Sequence, residues 1–349
     1  MARLGFDAAV TALRAAAEPT RLRLIALLSA SELNVKDLTH VLGQSQPRIS
    51  RHLKLLAEAG LVERYREGSW VYLRLTEAGH AGALAKLLVG LIDPADPVQK
   101  RDRDRAEALR AERAAAAQAY FARHAAEWDS IRKRHVDEAI VEVSIRAALG
   151  GDDASLGTLV DLGTGTGRVL ELLADQCERG IGIDVNPTML ANARTRLEAL
   201  GLSHIQLRHG DIYNLGLADR VASTVVMHQV LHFLTAPGEA VREAGRILAP
   251  NGRLLIVDFA SHGEEELREV FQHQRLGFTT EQLEHWLADA GLTLESEAAL
   301  APGQRVEGRG LTVRIWLSRR IASDARHPPM PVATRATAEI ETGKLLTLR

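Results

Sequence analysis

Cysteine is almost missing from this chain: Cys177 is the only one among 349 residues. One thiol can close no intrachain disulfide and can form no thiolate cluster, so disulfide scaffolds and zinc-ribbon-type folds are excluded and no metal is expected. Long apolar runs are missing too. None approaches the roughly 18 residues that a membrane span needs, and residues 1–23 hold no compact apolar stretch of the secretory kind. The expectation is a cytoplasmic protein with no membrane contact. A strong excess of either charge is also lacking, with a net −2, but the balance is uneven along the chain. Residues 1–92 carry 12 Lys and Arg against 8 Asp and Glu, and the remainder 31 against 37. A basic first part beside an acidic remainder suits nucleic-acid contact by the first part alone.

What is present falls into two patterns. Residues 2–30 read as helix, with Leu22, Ile25, Leu27 and Leu28 on one apolar face and Pro19 at a first turn. Runs 62–65 and 70–75, around Arg66-Glu67-Gly68-Ser69, predict a hairpin. Thr76 is placed to cap a helix over 77–91. Asp93-Pro94-Ala95-Asp96-Pro97 breaks the chain, and the segment that follows reads as a charged, solvated helix. The expected organisation is a first domain over 1–92, a helical linker over 93–118, a second domain over 119–320 and a disordered tail over 321–349.

In the second domain, apolar runs at 158–162, 180–183, 204–207, 221–227 and 253–258 predict buried parallel strands. Helices are predicted at 167–176, 187–200 and 237–248, and runs 292–299 and 311–317 suggest a closing antiparallel pair. This is an α/β fold of repeated βαβ units.

Within the first domain, residues 35–42, Gly43-Gln44-Ser45 and 46–59 form helix, tight turn, helix, with Ser45 at the cap and Pro47 in the first turn of the second. Ile49, Leu53, Leu56 and Ala59 point inward. Ser45, Gln46, Arg48, Ser50, Arg51, His52 and Lys54 are left for the outer face and flanks, where Gln and Arg suit base edges and Ser and Lys suit phosphates. Arg64 and Arg66 sit near the hairpin tip. The competing reading is a polar helix in a protein-interaction bundle. Glu18-Pro19-Thr20-Arg21, Ser45-Gln46-Pro47-Arg48-Ile49-Ser50-Arg51-His52-Leu53 and Gly60-Leu61-Val62 together resemble the ArsR/SmtB repressors over residues 5–92. The resemblance implies a winged helix-turn-helix homodimer that binds an inverted-repeat operator in double-stranded DNA. The chain departs from the family where metal-sensing members carry Cys-x-Cys after Glu-Leu. Here Glu32-Leu33 precedes Asn34-Val35-Lys36, and the last helix offers His80 alone, so neither arsenic nor zinc sensing is expected.

In the second domain, Asp161-Leu162-Gly163-Thr164-Gly165-Thr166-Gly167 lies where a strand meets a helix, and its glycines allow close backbone approach to a ligand. The spacing differs from the G-x-G-x-x-G of dinucleotide sites; a tight turn without ligand is the alternative. Asp184 ends the next strand, 21 residues after Gly163, placed to hold ribose hydroxyls. Asp211 and His228 end the third and fourth predicted strands. Together with Gly245-Arg246-Ile247-Leu248-Ala249-Pro250-Asn251-Gly252-Arg253-Leu254, these resemble the class I S-adenosylmethionine (SAM) methyltransferases, the UbiE-like group in particular, over residues 115–320. The resemblance implies a Rossmann-like seven-stranded domain that binds SAM. Asp161, Gly163, Gly165 and Gly167 would face its methionine part, Asp184 its ribose, and Asp211 with Ile212 its adenine; Thr164, Val185, Met189, Gly210, His228 and Tyr120 are expected at the cofactor as well. Tyr120-Phe121 and Trp128-Asp129 match aromatic helices that lid the cofactor, though core packing would use the same residues.

Methyl transfer demands alignment above all. His228 and His232 stand four apart and would share a helix face if a helix began at Met227. They are the candidate bases for a hydroxyl, thiol or amine acceptor. His273, on a helical insertion over 264–277, is a candidate acceptor-pocket wall. The expected function is an ArsR-type regulator with a methyltransferase domain that methylates a small molecule, senses SAM or S-adenosylhomocysteine, or both. The alternatives are a methyltransferase whose winged helix only dimerises and a catalytically silent SAM-responsive repressor.

Overall fold

The computed structural model describes residues 5–67, 69–76, 79–128, 131, 137–302 and 310–321. The expected tail beyond residue 321, Gly68, Glu77 and Asp129 lie outside them. The first domain builds helices α1 (Phe6–Ala16), α2 (Pro19–Ala30), α3 (Val35–Leu42), α4 (Gln46–Glu58) and α5 (Gly79–Gly90) around a three-stranded sheet. Its strands are β1 (Leu33–Asn34), β2 (Val62–Glu67) and β3 (Trp70–Leu75), in the order β1-β3-β2. The single helix expected over 2–30 is two. Glu18 adopts an extended backbone and its carboxylate accepts from the Arg21 amide, so it ends one helix path and caps the next. Leu24, Ile25, Leu38, Ile49, Leu53 and Leu73 meet in one apolar core.

The segment expected to be a solvated linker is helix α6 (Pro97–His124), and it is not solvated throughout. Asp96 caps it through the Val98 and Gln99 amides. Asp102 is buried and accepts from Arg23 at 2.5 and 2.7 Å; Arg113 pairs with Asp37, and Arg105 donates to the Val41 carbonyl. The charges that suggested solvation are therefore partly spent on ion pairs with α2 and α3. Further along, Asn186 of the second domain donates to the Gln118 carbonyl and side chain at 3.1 and 3.0 Å. One helix thus belongs to both halves.

The second domain adds helices α7 (Glu138–Ala148), α8 (Arg168–Leu173), α9 (Pro187–Ala199), α10 (Pro237–Ile247), α11 (Glu266–Val270) and α12 (Thr280–Asp289). Its strands are β4 (Gly157–Leu162), β5 (Cys177–Asp184), β6 (Ile205–His209), β7 (Ala222–His228), β8 (Leu248–Phe259), β9 (Leu292–Leu300) and β10 (Val313–Arg320). They form one sheet in the order β6-β5-β4-β7-β8-β10-β9, with β10 antiparallel to both neighbours. Helices cover both faces, which is why these strands read as near-continuous apolar runs. Ala240, Val241, Leu283 and Trp286 pack on one face, and Val141, Ile145, Val169 and Leu170 on the other. Two expectations are corrected. The 264–277 insertion is helical only over Glu266–Val270. Helix α12 was not expected, although Thr279 and Gln282 form the reciprocal cap that starts it. Among the described residues no helix is long and apolar enough to cross a membrane.

Candidate functional site

The strand order reverses between β4 and β7, and at their carboxyl ends opens a cavity of about 220 Å³. The turn after β4 makes its floor. Gly163, Gly165 and Gly167 all have positive φ (72°, 53° and 78°), a conformation open to glycine at little cost. A Cβ at Gly163 would meet Val230 at 2.4 Å, so that position cannot carry a larger residue without displacing the loop after β7. Asp161 is buried and accepts from the Thr164 hydroxyl at 2.6 Å, bracing the turn from beneath. Asp184 accepts from the Gly165 amide and from the Asn186 amide, each at 2.8 Å, which fixes its carboxylate at the cavity edge. Burial pushes the Asp184 carboxyl up from its ordinary range, and the amides of Asn186 and Gly165 pull the other way.

Of the residues expected at the cofactor, Asp161, Gly163, Thr164, Gly165, Asp184, Val185, Met189, Gly210, Asp211, Ile212 and His228 line this cavity. Two do not. Gly167 lies behind it, where a Cβ would press on Ala193 of α9 at 3.1 Å; its role is close helix packing. Tyr120 turns away into an aromatic cluster, 4.5 Å from the His124 ring and 6.5 Å from Phe271. Phe121 and Trp128, beside it in sequence, do line the cavity. Ala114, Ala117 and Gln118 of α6 complete that wall and were not anticipated. With Phe121 they recur at 3/4 spacing, so the signal was there as a stripe on a helix dismissed as solvated.

His228 and His232 do not share a helix face. His228 closes β7, Gln229 follows with φ 51°, and His232 sits in the short 3₁₀ turn Leu231–Phe233. His228 lines the cavity. His232 is buried, and its Nδ1 lies 2.7 Å from the Asp258 carboxylate at the end of β8. A carboxylate there selects the tautomer that carries the proton on Nδ1 and leaves Nε2 as an acceptor. The partner was not read from the sequence, because 26 residues separate the pair.

On the first domain, Ser45, Gln46, Arg48, Ser50, Arg51 and Lys54 are exposed on one side of α4. Ser45 stands at the cap position but its side chain makes no capping hydrogen bond. His52 is corrected: it turns back from the outer face and lies 3.5 Å from Glu18, with burial lowering its pKa against the pull of that carboxylate. Arg64 and Arg66 are exposed on the outer face of β2, while Tyr65 and Glu67, on the alternate face, turn toward the second domain. There Glu67 accepts from Arg268 and from the Leu276 amide at 2.7 and 2.6 Å. Arg275, fully buried, lies 3.0 Å from Glu32 and 3.5 Å from Glu67, donates to the Tyr65 hydroxyl, and covers the Tyr72 ring at 4.2 Å. Burial opposes its charge, but these partners outweigh that and hold it protonated well beyond its ordinary range. The hairpin is therefore bound to the second domain by one face and open on the other.

The family model described as a bacterial regulatory protein of the arsR family matches residues 18–64, and that of a methyltransferase domain matches 160–256. The chain joins an ArsR-family segment to a methyltransferase domain. Its ArsR part is 52% identical over 61 residues to the arsenical resistance operon repressor of Escherichia coli, covering 17% of this chain and 52% of that protein. The methyltransferase part is 28% identical over 154 residues to a phosphatidylethanolamine N-methyltransferase of Cereibacter sphaeroides (42% of this chain, 75% of that one). It is 33% identical over 133 residues to an arsenite methyltransferase of Aquipseudomonas alcaligenes (34% and 38%). The chain spans about half the length of the first curated relatives it matches, 52% and 47%. Among the described residues no group of three or more His, Cys, Asp or Glu could hold a metal ion.

Proposed function

We infer that the chain is a DNA-binding regulator whose methyltransferase domain binds SAM and transfers its methyl group to a small molecule, the two halves acting as one unit. The observation that carries this reading is α6. It is ion-paired to α2 and α3 of the winged helix through Asp102 and Arg113, and from Ala114 onward it walls the cavity through Ala114, Ala117, Gln118 and Phe121. A ligand in that cavity touches an element on which the winged helix rests. DNA-fragment selection with no ligand, with SAM and with S-adenosylhomocysteine tests it; equal affinity in all three would remove the coupling.

The residues present fit SAM. A Cβ at Gly165 would come within 3.8 Å of the Trp128 indole nitrogen, narrowing a cradle that glycine leaves open. The Asp184 carboxylate, already fixed by two amides, can accept from two adjacent ribose hydroxyls. Bound SAM supplies a methyl group on a sulfonium, ready for in-line displacement. The chain contributes position, exclusion of water by Phe121, Trp128 and Phe233, and His232, held by Asp258, as the acceptor for the proton of a hydroxyl or amine. Asp184→Ala removes two charge-assisted hydrogen bonds and is expected to weaken SAM binding about 10²-fold, read by calorimetry. Only the ionised carboxylate accepts both hydroxyls, and burial raises its pKa. SAM affinity should therefore begin to fall, as pH is lowered, sooner than for an ordinary Asp; an affinity flat through the acid range would refute that role.

On the DNA side we place a homodimer on an inverted repeat, with α4 in the major groove. Arg51→Ala is expected to weaken binding and to lower the slope of log affinity against log salt by about 1.8, the loss of one phosphate contact in each of the two protomers. Anisotropy across a salt series checks this, and an unchanged slope would put Arg51 off the phosphates.

A further inference from the structure

The two halves enclose a second cavity, a cleft of about 320 Å³. Arg74 of β3 with Lys86 and Val89 of α5 stands on one side, and Gly238 and Arg242 of α10 with Trp286 of α12 on the other. Among the described residues none lines both this cleft and the cavity at the ends of β4 and β7, so a ligand here would not compete with SAM. Lys86 and Val89 share a side of α5, and the exposed Leu87 and Leu91 lie on another.

The cleft presents donors that lack acceptors. Helix α10 starts without a side-chain cap: Ala236 supplies none, Pro237 has no N–H, and the Gly238 amide finds no acceptor among the described residues. Trp286 is 5% exposed, and its indole nitrogen lies against that turn, where a Cβ at Gly238 would be 3.0 Å away. Its N–H also has no acceptor among the described residues. A buried donor left unpaired is costly, and two side by side in a cavity wall mark the place of an acceptor. The acids of the cleft are already answered: Glu239 lies 3.9 Å from Arg110, Asp289 3.7 Å from His285, and Glu32 3.0 Å from Arg275. Lys86 and Arg242 have no ion-pair partner among the described residues. A helix N-terminus, an indole N–H and two free cations together suit an anion. Leu75, Val89, Pro237 and the Trp286 ring leave the rest of the walls apolar. We propose that the cleft binds a small organic anion, an oxyanion head on an apolar body, and that the anion clamps the first domain to the second. A carboxylate and a phosphate monoester share that chemistry. The proposal depends on neither SAM binding nor methyl transfer.

The test uses the full chain in a buffer free of phosphate and carboxylate. Calorimetry measures the binding of benzoate, of phenyl phosphate, and of benzamide, which keeps the shape of benzoate without its charge. At least one of the two anions is expected to bind about tenfold or more tightly than benzamide, and the tighter one names the head group. Lys86→Gln and Arg242→Gln change exposed side chains, and circular dichroism checks that both variants fold. Each should weaken that anion by about three- to tenfold, the loss of one charge-assisted contact in a cleft open to solvent. In hydrogen exchange, saturating anion should slow the amides of both sides, residues 79–90 and 236–242. Benzamide bound as tightly as the anions overturns the ligand class, and so does the failure of both anions to bind. Anion affinity unchanged in both variants puts the ligand elsewhere and overturns the site. Exchange slowed on one side alone overturns the clamp.

Discussion

Replacing His232 by Gln is expected to lower the rate of methyl transfer by about 10²–10⁴-fold while SAM affinity stays within twofold. The asymmetry follows from placement. His232 is not among the residues that line the main cavity; its ring sits beside it, braced by Asp258 at 2.7 Å and tilted against the rings of Phe233 and His273 at 4.0 and 4.2 Å. Gln fills similar space and can hydrogen-bond Asp258 but takes up no proton. The loss should be largest for weakly acidic acceptors and small for acceptors already ionised in solution, because those need no base. Rates measured over a series of acceptors of graded acidity separate this from a packing defect, which would slow every acceptor alike. Asp258→Asn should show the same pattern more mildly, since Nδ1 could then lose its fixed proton.

The strands of the second domain were legible because helices cover both faces and leave unbroken apolar runs, and the glycine turn because its spacing shows in the chain itself. That Asp161, Asp184 and Asp211 share one cavity could be read for the same reason: each lies at or just beyond a strand end. What stayed hidden depends on distance along the chain. Asp102 finds Arg23 across 79 residues, and Arg275 finds Glu32 across 243. No local period encodes such pairs. The solvated reading of α6 failed on this point, since alternating charge on a helix looks the same whether its partners are water or another helix. His228 and His232 misled in the opposite way: their spacing suggested one helical face, but a strand ends between them and turns the two rings into different cavities.

Arg275→Met is expected to cost about 3–5 kcal/mol of stability in urea unfolding, the range for breaking a buried ion pair from one side. The guanidinium is 1% exposed and answers Glu32, Glu67 and the Tyr65 hydroxyl together, so its removal leaves carboxylates in the interface short of a partner. Met keeps most of the volume over Tyr72, which confines the loss chiefly to charge. Adding Glu67→Gln to that variant should recover part of the cost, because one buried carboxylate disappears and the Gln can still accept from the Leu276 amide. The same substitution should split the unfolding curve into two transitions, as the winged helix loses its hold on the 264–277 loop while each domain keeps its own apolar core. If Arg275→Met unfolds in one step at the wild-type midpoint, the buried pair adds nothing to the join, which α6 and the other contacts of the hairpin then hold.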